Sequence, residues 1–255
     1  MNYKIYVISL RNELIRRKSI KKQLDDYNLN YTLFDAIDLR KMTEEKIIYL
    51  CKNLVQSFKR KLTKGEIGCS LSHKALYEVI NKNNNSLFTL IIEDDAIISK
   101  NLKETIENPM ILKADWDIII LGYSKLANKD KKEFYRKEPI FKDFDIRNYH
   151  FGRVWKEWTC GTVGYLIKTT AAKKILEQKT LTVADDWKYY CNTLNLKILH
   201  CRPSLIDEDY LNHQSAIEKE RSLFLKKHRK SLDAFRFARG YLRKLLMIMR
   251  YRKNV

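Results

Sequence analysis

The sequence predicts an α/β protein built around a mainly parallel sheet, and three observations carry that expectation. Apolar runs of four to eight residues, rich in β-branched and aromatic side chains, alternate along the chain with charged stretches of helical periodicity. Only 7 Gly and 3 Pro occur in 255 residues, and neither a Gly/Pro/Ser-rich linker nor an internal repeat interrupts the alternation. With 45% hydrophobic residues the chain can bury one sizeable core, which excludes disorder and fibrous architectures.

Residues 3–10 are β-branched and aromatic, hence a first strand, and the charged amphipathic stretch from Arg11 to Tyr27 is a helix. Residues 30–34 give a short strand leading into Asp35-Ala-Ile-Asp38. A helix over 43–49 is opened by Thr43, with Glu44 and Glu45 in the first turn, where the helix dipole favours acids. Lys64-Gly65-Glu66-Ile67-Gly68 reads as a turn into a helix over 69–81. A polar loop over 83–86 precedes residues 87–92, the most strand-like run in the chain, which ends in Glu93-Asp94-Asp95. A helix near 101–108 and a strand over 116–121, closed by Gly122, come next. Residues 125–153 are polar with alternating charge and read as a long excursion of the kind that builds active-site loops. A strand over 161–167, a helix over 170–178, a helix over 185–194 opened by two aspartates and a last strand over 196–201 complete the series. Strands alternating with helices imply helices on both faces of the sheet.

The formal net charge of +19 is unevenly placed. Residues 1–64 carry 15 basic and 7 acidic side chains, residues 65–218 carry 22 of each, and residues 219–255 carry 13 and 2. A neutral middle between basic ends puts any acidic partner beside the termini and leaves the chemistry to the middle. In the last segment Phe235, Ala238, Leu242, Leu245, Leu246 and Met249 recur at helical spacing, with Arg236, Arg239, Arg243 and Arg250 on an adjoining strip. Such a basic amphipathic helix suits an anionic lipid interface, or else docks on the protein with a solvated basic face. No uninterrupted apolar run exceeds five residues, as in 245–249, far short of the roughly 20 that cross a bilayer. The start reads as a strand rather than a signal peptide, so the mature chain is expected to begin at Met1. Cys51, Cys69, Cys160, Cys191 and Cys201 form no CxxC pair and no zinc spacing, which favours free, packed thiols in a reducing compartment, the cytoplasm.

The three carboxylates ending the strand over 87–92 are the most informative feature. Alternation along a strand lets Glu93 and Asp95 face the same crevice at the carboxyl edge, where α/β sheets bind ligands. Two hard oxygen ligands there suit Mg²⁺ or Mn²⁺ completed by substrate phosphate oxygens, although an acidic turn or helix cap uses the same residues. No GxGxxG or GxxxxGK[ST] loop is present, so a nucleotide would be held through a metal bridge. Gly65 and Gly68 begin a helix whose free N–H groups face an anion or, the commoner use of Gly68, allow close packing.

Taken in order, Tyr6-Val-Ile-Ser9-Leu10 with Arg16-Arg17, Leu62-Thr-Lys-Gly65-Glu66-Ile-Gly68-Cys69 with Leu71-Ser-His73, Ile92-Glu93-Asp94-Asp95, Gly161-Thr162 with Gly164-Tyr165, and Asp185-Asp186 resemble glycosyltransferase family 25, the bacterial lipooligosaccharide β-1,4-galactosyltransferases and their relatives. The resemblance covers about residues 3–217, a single domain, and leaves 218–255 as a basic helical tail. It implies a GT-A-like fold, a UDP-sugar donor, inverting transfer and Mn²⁺ or Mg²⁺. Asp95 then becomes the leading metal ligand, with Glu93 or Asp94 as a ribose or metal-water contact, and His213 a candidate third ligand. The first position is Glu where such enzymes keep Asp. Ser9, Arg11 and Arg16 are donor-side candidates, whereas Arg17 fits a charged helix face. Asp185 or Asp186 is the expected acceptor-binding carboxylate or base, its neighbour capping the helix. Gly161 and Thr162 join the acceptor side, and Asp117 and Glu66 are reserves. Trp155, Trp158 and Tyr165 either stack on a pyranose or pack the core. The implied acceptor is a lipid-linked oligosaccharide, and galactose is the favoured sugar. The enzyme would lie on the inner face of the inner membrane, held by its tail.

Two other functions fit parts of the sequence. A nucleic-acid binder would spread its basic residues across a groove of the fold, against the clustering seen here. A sugar nucleotidyltransferase would need a glycine-rich loop to grip the NTP.

Overall fold

The computed structural model describes residues 3–52, 55–56, 62–83, 86–209 and 233–252. Its main sheet has eight strands: β1 (Tyr3–Ser9), β2 (Thr32–Asp35), β4 (Phe88–Glu93), β6 (Ile118–Ile120), β7 (Ile140–Ile146), β8 (Tyr149–Val154), β9 (Gly164–Lys168) and β11 (Ile198–Arg202). Their order is β2-β1-β4-β9-β6-β11-β8-β7. Six run in one direction, while β9 and β8 are antiparallel to both of their neighbours. Two small pairs, β3 (Val55–Gln56) with β10 (Thr180–Leu181) and β5 (Ala96–Ile98) with β12 (Ile206–Glu208), lie outside it.

The central strands are apolar on both sides because both faces are covered. Ile5 and Val7 of β1 with Leu90 and Ile92 of β4 pack on α1 (Leu14–Asp26), α4 (Leu102–Ile106) and α5 (Pro109–Lys113). Tyr6, Ile8 and Ile91 face the other way onto α3 (Lys64–Lys82), α7 (Thr169–Leu176) and α8 (Trp187–Asn192). Each fully buried side chain of this kind contributes about 1.5–3 kcal/mol.

Helix α3 begins at Lys64, five residues before the expected start. Thr63 accepts from the Glu66 N–H while the Glu66 carboxylate accepts from the Thr63 N–H, a reciprocal cap that outweighs the two glycines. Gly68 is a packing glycine: a Cβ there would stand 2.8 Å from the Ile37 carbonyl oxygen. The helix α2 (Glu44–Cys51) opens on Thr43 as its sequence indicates. Residues 125–153 are not an irregular excursion. They hold a short 3₁₀ turn at Asn128–Asp130, α6 (Lys131–Lys137) and the β7–β8 hairpin at the sheet edge. Its alternating charges pair across the hairpin, Arg153 with Asp143 at 3.0 Å, while Phe144 stacks on Phe151 beneath them at 4.7 Å.

The C-terminal helix α9 (Asp233–Arg252) packs on α6 and β7. Met247 is buried, and Gly240 allows backbone approach to the carbonyls of Arg136 and Lys137. Arg239 and Arg243 pair with Glu138, and Arg250 lies over the Trp155 ring. Tyr241, Leu242, Leu245 and Met249 face outward, 56–67% exposed. The helix is docked and still presents an apolar stripe. No described helix is long and apolar enough to cross a membrane.

Candidate active site

The parallel strands β1, β2 and β4 end together, which puts Ser9, Asp35 and Glu93 on one edge of the sheet. Strand β9 runs the other way beside β4, with Ile92 opposite Gly164 and the Glu93 N–H donating to the Val163 carbonyl at 3.0 Å. Its reversal brings Gly161 and Thr162, which precede the strand, to that same edge. Strand β12 then places Glu208 opposite Ala96, and the Asp209 N–H donates to the Asp95 carbonyl at 2.8 Å.

Two cavities meet at this edge and share Cys69, Glu93 and Asp95 as a common wall. The first, about 160 Å³, is bounded by the end of β1, Arg16, the 36–40 loop and the start of α3. Its apolar sides, including Leu10, Ile37 and Leu39, give way to the cations Arg16, Arg40 and Lys64. The loop is pinned to α3 by Ser72, which accepts from the Ile37 N–H at 2.8 Å and donates to the Gly68 carbonyl at 2.6 Å. The second, about 220 Å³, is lined by Ser124, Gly161, Thr162, Asp185 and Glu208 on its far side.

The three carboxylates have different surroundings. Asp94 is taken up internally: Ser9 donates to it at 2.6 Å and Arg16 lies 3.5 Å away. Burial raises its pKa, against those two partners. Glu93 accepts from the Thr162 hydroxyl and lies 3.7 Å from His73 Nε2. Burial would raise its pKa, but His73 and Thr162 outweigh it and hold the carboxyl below its ordinary value. His73 is oriented by the Tyr165 hydroxyl at 2.7 Å from Nδ1, and Tyr165 in turn meets Tyr77 at 2.7 Å. Asp95 contacts Arg16 at 3.3 Å through Oδ2, while its buried Oδ1 has no hydrogen-bond partner among the described residues. Burial first, then the charges of Glu93, Glu208 and Asp94, push the Asp95 pKa well above its ordinary value.

This orphaned oxygen, under the charges of Glu93, Glu208 and Asp94, is one that a hard divalent cation would satisfy, with Glu93 beside it, while Glu208 Oε2 accepts from the Lys125 N–H at 2.6 Å. Among the described residues the three donors that gather within 4.8 Å of one another are a softer set, Cys69, His73 and Glu93. Glu208 was not singled out in the sequence, although Ile206-Asp-Glu208-Asp209 repeats the pattern of Ile92-Glu93-Asp94-Asp95.

Asp185 and Asp186 separate cleanly. Asp186 caps α8, accepting from the Tyr189 N–H at 3.1 Å and the Thr182 hydroxyl at 2.6 Å. Asp185 faces the second cavity and accepts from the Gly161 N–H at 2.8 Å. Gly161 holds φ at +86°, and a Cβ there would overlap Ser124. Arg11 is exposed and lines neither cavity, lying near Asp35. Arg17 donates to the Ser9 carbonyl at 2.9 Å and to Asp35 at 2.5 Å, bracing β1 and β2. Glu66 lines the second cavity while serving the α3 cap. Asp117 accepts from the Lys197 N–H at 2.8 Å, remote from both cavities. Tyr165 is fully buried and Trp158 stacks on Tyr123 and His200, so both serve packing. His213 lies outside the described residues.

Residues 2–188 match the profile of a family described as Glycosyltransferase family 25 (LPS biosynthesis protein). A protein of Haemophilus influenzae (strain ATCC 51907 / DSM 11121 / KW20 / Rd) named as a glycosyltransferase is 33% identical, covering 82% of this chain and 71% of its own length. The lipooligosaccharide biosynthesis protein lex-1 of the same strain is 30% identical over 67% of this chain and 62% of that protein. Procollagen galactosyltransferase 1-A of Xenopus laevis is 26% identical over 69% of this chain, which spans only 28% of that longer protein. A solved complex of galactosyltransferase LgtC with donor and acceptor sugar analogs aligns over 91% of this chain and 99% of that one, at 10% identity and a TM-score of 0.39. With the family profile covering residues 2–188 and a relative 33% identical over 82% of its length, this chain belongs to glycosyltransferase family 25.

Proposed function

We propose that the chain is an inverting hexosyltransferase that moves a sugar, galactose in the favoured reading, from a UDP-sugar to the oligosaccharide of a lipid-linked acceptor. The observation that carries this is the pair of cavities divided by one wall of carboxylates. A donor and an acceptor held on opposite sides of Glu93 and Asp95 would bring an anomeric carbon and a hydroxyl together at that wall.

In this reading the first cavity takes the nucleotide. Leu10, Ile37 and Leu39 would flank the base, and Arg16, Arg40 and Lys64 would face the diphosphate. A divalent cation held by Asp95, Glu93 and Glu208 would neutralise the departing diphosphate. Asp185 would orient the acceptor hydroxyl and take its proton as the hydroxyl attacks from the face opposite the leaving group. The Gly161 N–H fixes Asp185 for that role. Asp186 holds the helix behind it. The outward stripe of α9 and the surplus of basic residues after 218 support peripheral binding to an anionic membrane surface, on the inner leaflet where a lipid-linked acceptor is reached.

The test is calorimetric titration with UDP, with and without Mn²⁺, followed by UDP-galactose and UDP-glucose. UDP binding that requires the metal and is lost in Asp95→Asn is the expected result. Absence of binding under every metal condition would overturn the reading.

A further inference from the structure

A third cavity, about 460 Å³, lies away from the carboxylate wall, where α9 meets the β7–β8 hairpin and the end of β11. Its size is ordinary for a small-molecule site. Ile140, Phe141, Met247 and Ile248 make its apolar lining. Around them stand four cationic or cation-forming side chains, Arg202, Lys142, His150 and Lys244.

The charges there are incompletely matched. Lys142 and His150 share Asp145, at 3.5 and 2.7 Å, and Glu138 is taken by Arg239 and Arg243 of α9. Lys244 has no carboxylate partner among the described residues. Arg202 is 5% exposed, donates from Nε to the Tyr123 hydroxyl at 3.3 Å and from Nη1 to the Glu138 carbonyl, and stacks against Tyr135. Its Nη2 is buried with no hydrogen-bond partner among the described residues. The guanidinium also lies over the rings of Tyr123 and Phe134, so Arg202 and Lys244 are the two cations of the lining without a carboxylate partner among the described residues, and an anionic oxygen is the group that would match them.

We propose that this cavity binds a single-chain anionic amphiphile, its phosphate or carboxylate head meeting Arg202 and Lys244 and its hydrocarbon chain lying along Ile140, Phe141, Met247 and Ile248. Neither half of the site explains the other. An apolar cavity alone has no use for two cations without carboxylate partners, and an anion site alone has no use for four large apolar side chains. The placement of α9 is part of the site, because Lys244, Met247 and Ile248 all come from it. Tyr241, Lys244 and Ile248 follow one another at three- and four-residue spacing, so the cavity borders the outward apolar stripe. This inference does not depend on the assignment of the sugar-transfer site.

The experiment is titration of the full chain with monododecyl phosphate below its micelle concentration, alongside dodecyl maltoside and inorganic phosphate. Binding of dodecyl phosphate at one per chain, at least about tenfold tighter than either control, is expected from a charge-assisted contact added to chain burial. Lys244→Glu, at an exposed helix position, should weaken that binding about tenfold or more while transfer to a soluble acceptor is unchanged. Arg202→Lys, checked for folding by circular dichroism, should erase the preference for the anionic head and leave chain binding in place. Equal binding of dodecyl maltoside, or an unaltered affinity in Lys244→Glu, would overturn the proposal. So would inorganic phosphate binding as tightly as the amphiphile, or binding seen only to phosphatidylglycerol vesicles and never to the dissolved amphiphile.

Discussion

Replacing Gly161 by alanine tests whether the strained turn between the two sides of the site is held as described. The residue has φ +86°, where a Cβ costs about 1–2 kcal/mol. That Cβ would also fall inside the van der Waals envelope of Ser124 Oγ and Cβ and 3.2 Å from the Ser124 N. Rotation of the hydroxyl relieves only the first of these contacts, so the backbone must shift, at about 1–3 kcal/mol for an overpacked position. The expected loss is therefore about 2–5 kcal/mol. For a chain of this size it reads as a fall in Tm of about 2–4 °C for each kcal/mol. Urea denaturation gives the free energy directly. Because the Gly161 N–H donates to Asp185, the same shift should lower kcat. The control is Gly161→Ala combined with Ser124→Gly, which removes both overlapping atoms. It should recover the overpacking part and leave the backbone cost, with about 0.4–1 kcal/mol added by the new glycine. A single variant within about 1 kcal/mol of the parent, or a double variant less stable than the single one, would refute the geometry.

Asp95→Asn should reduce transfer by more than about 100-fold with no loss of stability, because it removes one of several buried like charges; a clear drop in urea midpoint would contradict that account. Asp186→Ala should cost about 0.5–2 kcal/mol as a lost helix cap, whereas Asp185→Asn keeps an acceptor for the Gly161 N–H and should lose activity rather than stability; the reverse pattern would exchange their roles. Leu245→Glu places a charge on the outward stripe of α9, so it should weaken binding to anionic liposomes and leave the thermal midpoint unchanged, and unaltered liposome binding would remove the stripe from the membrane reading. The Arg40 hydrogen bond, against a smaller burial effect, lowers the Asp38 pKa. Its stabilising contribution is thus present above the ordinary aspartate value of about 3.9 and is lost as pH falls through the lower folded value. The stability gap between parent and Asp38→Asn should be constant above about pH 5 and shrink below about pH 4, and a gap that ignores pH would discount the pair.

The carboxylate edge was legible because β4 is an uninterrupted apolar run, and a strand buried on both faces leaves no other place for three acids than its end. The start of α3 was not. Gly65 and Gly68 look like helix breakers in a linear reading, and the Thr63–Glu66 reciprocal cap competes with them only once the helix is built. The β7–β8 hairpin was hidden by its own charges, since Asp143, Asp145 and Arg153 find partners across the strands and side by side, information absent from local pattern. Glu208 needed the pairing of β12 with β5, a contact spanning more than a hundred residues. The division of labour between Asp185 and Asp186 likewise depends on which one reaches the Tyr189 N–H.

The position of β9 bears on how the chain is made. Residues 164–168 fill the slot between β4 and β6, two strands that have both left the ribosome well before them. Until that segment arrives, each of those strands presents an open row of backbone donors and acceptors beside very apolar side chains. The sheet therefore closes late and through distant contacts, the regime in which folding is slow and nascent chains associate. Chains stopped shortly before Gly164 should accumulate as aggregates or on chaperones, and those extended past Arg202, whose strand covers the other edge of β6, should be released from both.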